Sequence, residues 1–167
     1  PLRILARGAN EAVEALVEGV AQVAVSPAGP RAGFETRVLR SVGHHVLLPE
    51  ADPLATRARL TLADLAARPL VAPPPGGPMR MAIDHLAAGL ALSLEVTVEA
   101  RGWPLMARMV ELGQGAAIVN DFVPPPEGCR AVPFDGLPPV VYRRFRRRQP
   151  TYGAAEEGLW RALRQDP

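Results

Sequence analysis

The chain has 167 residues and a formal net charge of +2, with 48% apolar, 22% charged and 5% aromatic residues, which suits one ordinary domain or one bilobed domain. Its 15 glycines and 19 prolines are too few for composition alone to indicate a disordered chain. No apolar run reaches the roughly 18 residues of a membrane span and no signal-peptide pattern is visible, so a soluble cytoplasmic protein is expected.

Residues 2–6 read as a short apolar strand, and Gly8-Ala9-Asn10 leads into a helix over 11–18 with Val13, Leu16 and Val17 as its stripe. Asn10 suits its N-cap and Gly19 its stop. Residues 20–25 form a second strand ending at Ser26-Pro27, which predicts a βαβ unit with parallel strands. Strands follow over 34–40 and 44–48, and Thr61-Leu62-Ala63-Asp64 has the spacing of a capping box, opening a short helix that ends before Pro69. After a brief strand at 70–72, PPPGGP interrupts regular structure and a helix over 79–89 is predicted to bury Ile83, Leu86 and Leu90.

Residues 94–98 alternate as a strand should. Pro104 fits the first turn of a helix whose expected stripe is Leu105, Met109 and Leu112 and whose stop is Gly113. Strands follow over 116–119, 132–134 and 140–145, and a last helix over 153–164 turns Trp160 and Leu163 inward with Glu157 and Arg161 as an outer pair. Strands that alternate with helices in this way define an α/β fold.

The residue types that carry catalysis are poorly placed for it. Cys129 is the only cysteine, so an intrachain disulfide and a thiolate metal cluster are excluded, and it reads as a spectator thiol. His44 and His45 are adjacent on a strand and point to opposite faces, which prevents a shared metal. Glu95 and Glu99 lie about 13 Å apart at strand spacing, too far for a glycosidase pair. No serine has a nucleophile-elbow context, PPPGGPMR lacks the Lys-Ser/Thr pair of a phosphate loop, and Gly113-Gln114-Gly115 is a helix stop. No catalytic set, metal or cofactor is expected. All 19 basic residues are arginine, a mark of a GC-rich genome, and Arg143, Arg144, Arg146, Arg147 and Arg148 are expected to decorate a strand end and a solvated turn.

The order of these signals resembles the effector-binding, or substrate-binding-like, domain of LysR-type transcriptional regulators. PLRILARGANEAVEALVEGVAQVAV is similar to that family's strand, helix and second strand; GHHVLLPEADPLA resembles its crossing strand and following loop. LTLADLAARPLVAPP and the run from Val110 to Val119, with Gly113 and Gly115, resemble two further family segments, so the likeness covers essentially the whole chain. Gln22 stands where the family commonly has Asp, and Asn120 where it commonly has Pro. The family's regulatory domain begins with a further strand and helix, preceded by a winged helix-turn-helix head. The opening at Pro1 without an initiator methionine therefore leads us to expect missing upstream chain and an incomplete first lobe.

The resemblance implies a two-lobed fold of the type 2 periplasmic-binding-protein kind with two crossings, residues 1–42 with 130–167 forming lobe I and 43–129 lobe II. It implies a small-molecule effector in the interlobe cleft, a homodimer or homotetramer, DNA contact only through the N-terminal head, and no membrane association. Helix starts at strand ends favour an anion, which selects Ala9, Asn10 and Ser26 in the first lobe and Gly76 and Gly77 in the second. Arg101 is the choice for pairing with the effector's charge, Trp103 for covering its apolar body, and Asn120 for a hydrogen bond near the hinge. A transport solute-binding protein shares this fold and is the alternative; an enzyme on the same scaffold is a third reading, which the lack of a catalytic set disfavours.

Overall fold

The structure is a computed structural model and describes residues 2–163. In chain order its elements are α1 (Ala9–Val17), β1 (Val23–Ser26), β2 (Phe34–Val42), β3 (His44–Pro49), a 3-10 turn at Pro53–Thr56, α2 (Leu62–Leu65), β4 (Pro69–Ala72) and α3 (Pro78–Gly89). They continue with β5 (Glu95–Glu99), α4 (Trp103–Glu111), β6 (Ala117–Asn120), β7 (Cys129–Phe134), β8 (Val140–Arg147) and α5 (Ala154–Ala162). The predicted end of the last helix at Arg164 lies outside the described residues. The chain divides into two compact units, one made of the residues up to Val42 and those from Val140, the other of Gly43–Pro139.

The first unit is an antiparallel sheet in the order β1-β8-β2. Val13 and Leu16 of α1 pack on Ala24, Phe34 and Phe145 to form its core. The strand predicted over residues 2–6 is absent: Leu2 and Ile4 are 68% and 83% exposed and enter no ladder. Apolar character does not make a strand unless a neighbour satisfies its backbone groups. β1 accordingly pairs antiparallel with β8, in the register Ala24↔Phe145, and no parallel βαβ unit forms around α1.

The arginine cluster also departs from expectation, because β8 is the central strand and its side chains are used inside the unit. Arg146 is buried; its Nη2 lies 2.7 Å from Glu35 and its Nη1 2.7 Å from Glu157. The guanidinium sits 3.6 Å from the centroid of the Tyr152 ring and 4.4 Å from that of Trp160. Burial opposes the charge of Arg146, but hydrogen bonds to Glu157 and Glu35 outweigh it and hold the group firmly protonated. Arg143 donates to the carbonyls of Ala28 and Val141, and Arg148 to that of Phe34. The expected outer pair of Glu157 and Arg161 forms at 3.0 Å.

In the second unit β6-β3-β7 form one antiparallel sheet and β4-β5 a parallel pair. The amides of Val71 and Ala116 bond to the carbonyls of Ala116 and Pro69, at 2.8 and 3.0 Å, and join β4 to the segment entering β6. β3 is buried on both faces: Val46 and Leu48 enter a core with Leu60, Leu62, Leu65, Ile83 and Phe134, while Leu47 enters a second with Val71, Met106, Val110 and Val119. This alternation explains why its sequence is continuously apolar. The capping box predicted for α2 is present, with Asp64 accepting from the Thr61 amide at 2.8 Å.

Three expectations are corrected in this unit. Strand β7 pairs with β3 from Cys129↔Pro49 to Phe134↔His44, and Val132 and Phe134 enter the β3 core. The chain therefore returns to the first unit between Pro139 and Val140 and not near residue 130. The inward face of α4 is Met106, Ala107 and Val110, whereas Leu105 and Leu112 of the predicted stripe are exposed. Leu90 is likewise exposed at the end of α3. In each helix the residues that reach the sheet outrank a neighbouring apolar row with the same helical spacing.

Candidate functional site

In the first unit the helix start lies at Gly8, not Asn10, and the Gly8 amide donates to the Glu11 carboxylate at 3.1 Å. Asn10 is therefore exposed in the first turn, on a face it shares with Glu11, Glu14 and Glu18. Ala9 and Ser26 are brought together: the buried Ser26 hydroxyl donates to the Ala9 carbonyl at 2.6 Å and accepts from the Ala28 amide at 3.1 Å. Ser26 thus fixes the first residue of α1 to the end of β1.

The second unit assembles two helix starts at one sheet edge. β4 and β5 run parallel with Ala72 opposite Glu99, and the Ala100 amide bonds to the Ala72 carbonyl at 3.0 Å. The turns that leave these strands lead into α3 and α4. Gly77 caps α3 and Pro78 occupies its first turn, while Gly76 adopts the left-handed φ of 84° that a residue with a Cβ resists. Gly102, with φ of 90°, caps α4; Arg101 is exposed just before it, and Trp103 is half-buried against the second core.

Arg80 ties the first of these turns to the end of β5, a role with no local signal in the sequence. Its side chain is 14% exposed and donates to the Pro73 carbonyl at 3.0 Å, to Asp84 at 2.9 Å and to Glu99 at 3.1 Å. The hydrogen bond to Asp84, followed by that to Glu99, holds the guanidinium protonated against its partial burial. One cation therefore connects the PPPGGP turn, the body of α3 and the end of β5.

Asn120 is buried at the end of β6, in register with His44 of β3. The next residue, Asp121, accepts the Gly43 amide at 2.7 Å and donates its own amide to the Gly43 carbonyl at 3.1 Å, closing the entrance to β3. His44 is 5% exposed and its Nε2 has no hydrogen-bond partner. Burial pushes its pKa down and Asp121 opposes this only in part. A histidine that is neutral when folded but titrates near 6.5 when unfolded leaves stability unchanged above that value and lowers it as pH falls toward the folded pKa, because the unfolded chain takes up the proton first. Urea unfolding of wild type at pH 7.5, 6 and 5 should show this loss and His44→Phe should flatten it; equal slopes in the two proteins would refute the assignment.

Cys129 is buried, and burial, with Glu111 and Glu50 nearby, pushes its thiol pKa up, so it lacks the activation a nucleophile needs. Among the described residues no group of three or more His, Cys, Asp or Glu side chains is placed to hold a metal ion, and no helix is long and apolar enough to cross a membrane.

An α/β chain with two helix starts gathered at a parallel strand edge has the character of a ligand-binding domain. Residues 1–166 match the LysR substrate binding domain, and the chain belongs to that family. Its fold is the two-lobed periplasmic-binding-protein-like α/β class of LysR effector-binding domains. The HTH-type transcriptional regulator CysB of Burkholderia cenocepacia is 36% identical over 98 residues, which make up 56% of this chain and 31% of that protein. The crystal structure of HinK, a LysR family transcriptional regulator from Pseudomonas aeruginosa, superposes with a TM-score of 0.78 at 19% identity, over 96% of this chain and 58% of that one. The effector binding domain of QuiR in complex with shikimate gives a TM-score of 0.77 at 13% identity, over 94% and 77% of the two chains. The chain thus spans about a third of the curated relative and 58% of HinK. CysB and HinK are transcriptional regulators.

Proposed function

We infer that this chain is the sensing part of a LysR-type DNA-binding transcriptional regulator and that its effector is a small anionic metabolite. The observation that carries the reading is the pair of helix starts, Gly76-Gly77 before α3 and Arg101-Gly102 before α4, which Trp103 opens, leaving adjoining ends of the parallel strands β4 and β5. Free first-turn N–H groups and aligned helix dipoles favour a carboxylate at such an edge. Arg101 supplies a formal charge beside them, and Arg80 joins the first turn to the end of β5. Asn120, also in the second unit, adds a side-chain amide. That the QuiR domain is complexed with shikimate, a carboxylate, supports this chemistry.

Effector binding would shift the population of regulator states, and a homodimer or homotetramer would pass that bias to DNA-binding heads. A thermal-shift series of small carboxylates, each paired with its neutral amide, tests the reading. At least one acid should raise the melting temperature while its amide does not, and Arg101→Ala should reduce the shift. A stabilising acid whose effect survives Arg101→Ala undiminished would remove Arg101 from the site, and equal effects of acids and amides would overturn the anionic reading.

A further inference from the structure

A concavity of the Gly43–Pro139 unit begins at Trp103, the first residue of α4, and runs between one flank of that helix and the segment that follows β6. It encloses about 520 Å³, within the range of pockets that hold small organic ligands. Its shape follows from the sequence: Trp103, Ala107 and Glu111 stand at successive helical turns on one face of α4, and the small central residue leaves a hollow between two large ones. The opposite wall is Phe122 and Val123 followed by Pro124-Pro125-Pro126. Three consecutive prolines have fixed φ angles, so the wall needs little ordering when a ligand enters.

The lining is predominantly apolar and presents two aromatic rings, Trp103 and Phe122, the latter 43% exposed. Offset and edge-to-face contacts with such rings favour a flat unsaturated body. At the rim Arg108 forms an ion pair with Glu111 at 2.8 Å. That pair runs through one terminal nitrogen of a group with five N–H donors, and the Arg108 side chain is 56% exposed. The guanidinium therefore retains donors in the fork geometry that suits a second carboxylate.

We propose that this groove is a ligand site for a planar aromatic carboxylate, with the ring between Trp103 and the Phe122 wall and the carboxylate on Arg108. It shares Trp103 with the helix-start site, and Arg108, which that site does not use, distinguishes the two. Glu111 competes for the same guanidinium and keeps the affinity modest.

The test uses 4-fluorobenzoate and 4-fluorobenzylamine as probes of the whole chain, with binding read by fluorine NMR and the contact located by shifts of the Trp103 indole N–H. The acid should bind in preference to the amine and move the Trp103 signal. Arg108→Gln should weaken acid binding about tenfold, and Glu111→Gln should strengthen it. Ala107→Phe fills the hollow and should abolish binding; because Ala107 also borders the core, the exposed Arg108→Gln change serves as the variant whose folding is secure. Preference for the amine, binding that leaves Trp103 unmoved, or acid affinity unchanged in Arg108→Gln would each overturn the proposal.

Discussion

Arg146→Ala should cost the first unit about 3 kcal/mol of stability, the lower end of what removing one partner from a buried ion pair costs. The substitution leaves Glu35 and Glu157 facing each other across the space of a lost guanidinium, and it removes the planar group sandwiched between Tyr152 and Trp160. The loss stays at the lower end because the two carboxylates are 25% and 32% exposed and water can reach them. Arg146→Lys restores the charge but neither the fork nor the stacking surface, so it should recover only part of the loss. The chain has two tryptophans, Trp160 in the first unit and Trp103 in the second. Urea unfolding followed by Trp160 fluorescence in a Trp103→Phe background therefore reads the first unit alone. A loss under about 1 kcal/mol, the value typical of a surface pair, would show that the cluster behaves as if solvated.

Gly115→Ala should be still more damaging, with a loss above about 3 kcal/mol or failure to accumulate as folded protein. Gly115 has a φ of 138°, and a Cβ there would stand 2.3 Å from the Pro69 carbonyl oxygen and 2.7 Å from its carbon. Both atoms are main chain, and the same carbonyl accepts the Ala116 amide at 3.0 Å, so relief by movement would break the connection between β4 and the segment entering β6. Gly113→Ala is the control. That glycine also has positive φ, at 72°, but nothing lies within 4 Å of its added Cβ, so only the conformational penalty of about 1 kcal/mol remains. Unfolding of the second unit followed by Trp103 fluorescence in a Trp160→Phe background compares the two variants, and equal losses would refute the steric account.

The elements whose signals are local were legible in the sequence. The Thr61–Asp64 box, Pro104 in a first helical turn and Gly113 as a stop each depend on a few neighbouring residues, and each appears where its spacing puts it. Features that depend on distant partners were not. Residues 2–6 have strand composition without a ladder, the α4 stripe was displaced by one row, and β7 was assigned by its place in the chain although its pairing with β3 decides where it belongs.

The candidate site divides in the same way. Glycine and proline marked the turns before α3 and α4, but nothing local announces that Arg80 reaches from α3 to both Pro73 and Glu99. The RRFRRR run was misread because charge alone suggests water, whereas its position on the middle strand supplies carboxylates, rings and carbonyls. Ser26 stands at a strand end, as its place before Pro27 predicts, and its hydroxyl is engaged in holding that end in place.

The two-sided burial of β3 sets a limit on how the chain can change length. A one-residue insertion or deletion within that strand would exchange the residues that feed its two cores, moving Leu47 into the place of Val46 or Leu48. The 73–77 turn is joined to the sheet by Arg80 at its first residue and is exposed at Pro75 and Gly76. Variation in length is thus tolerable at that exposed turn and forbidden within the strand, so loops can be lengthened or trimmed while β3 keeps its count.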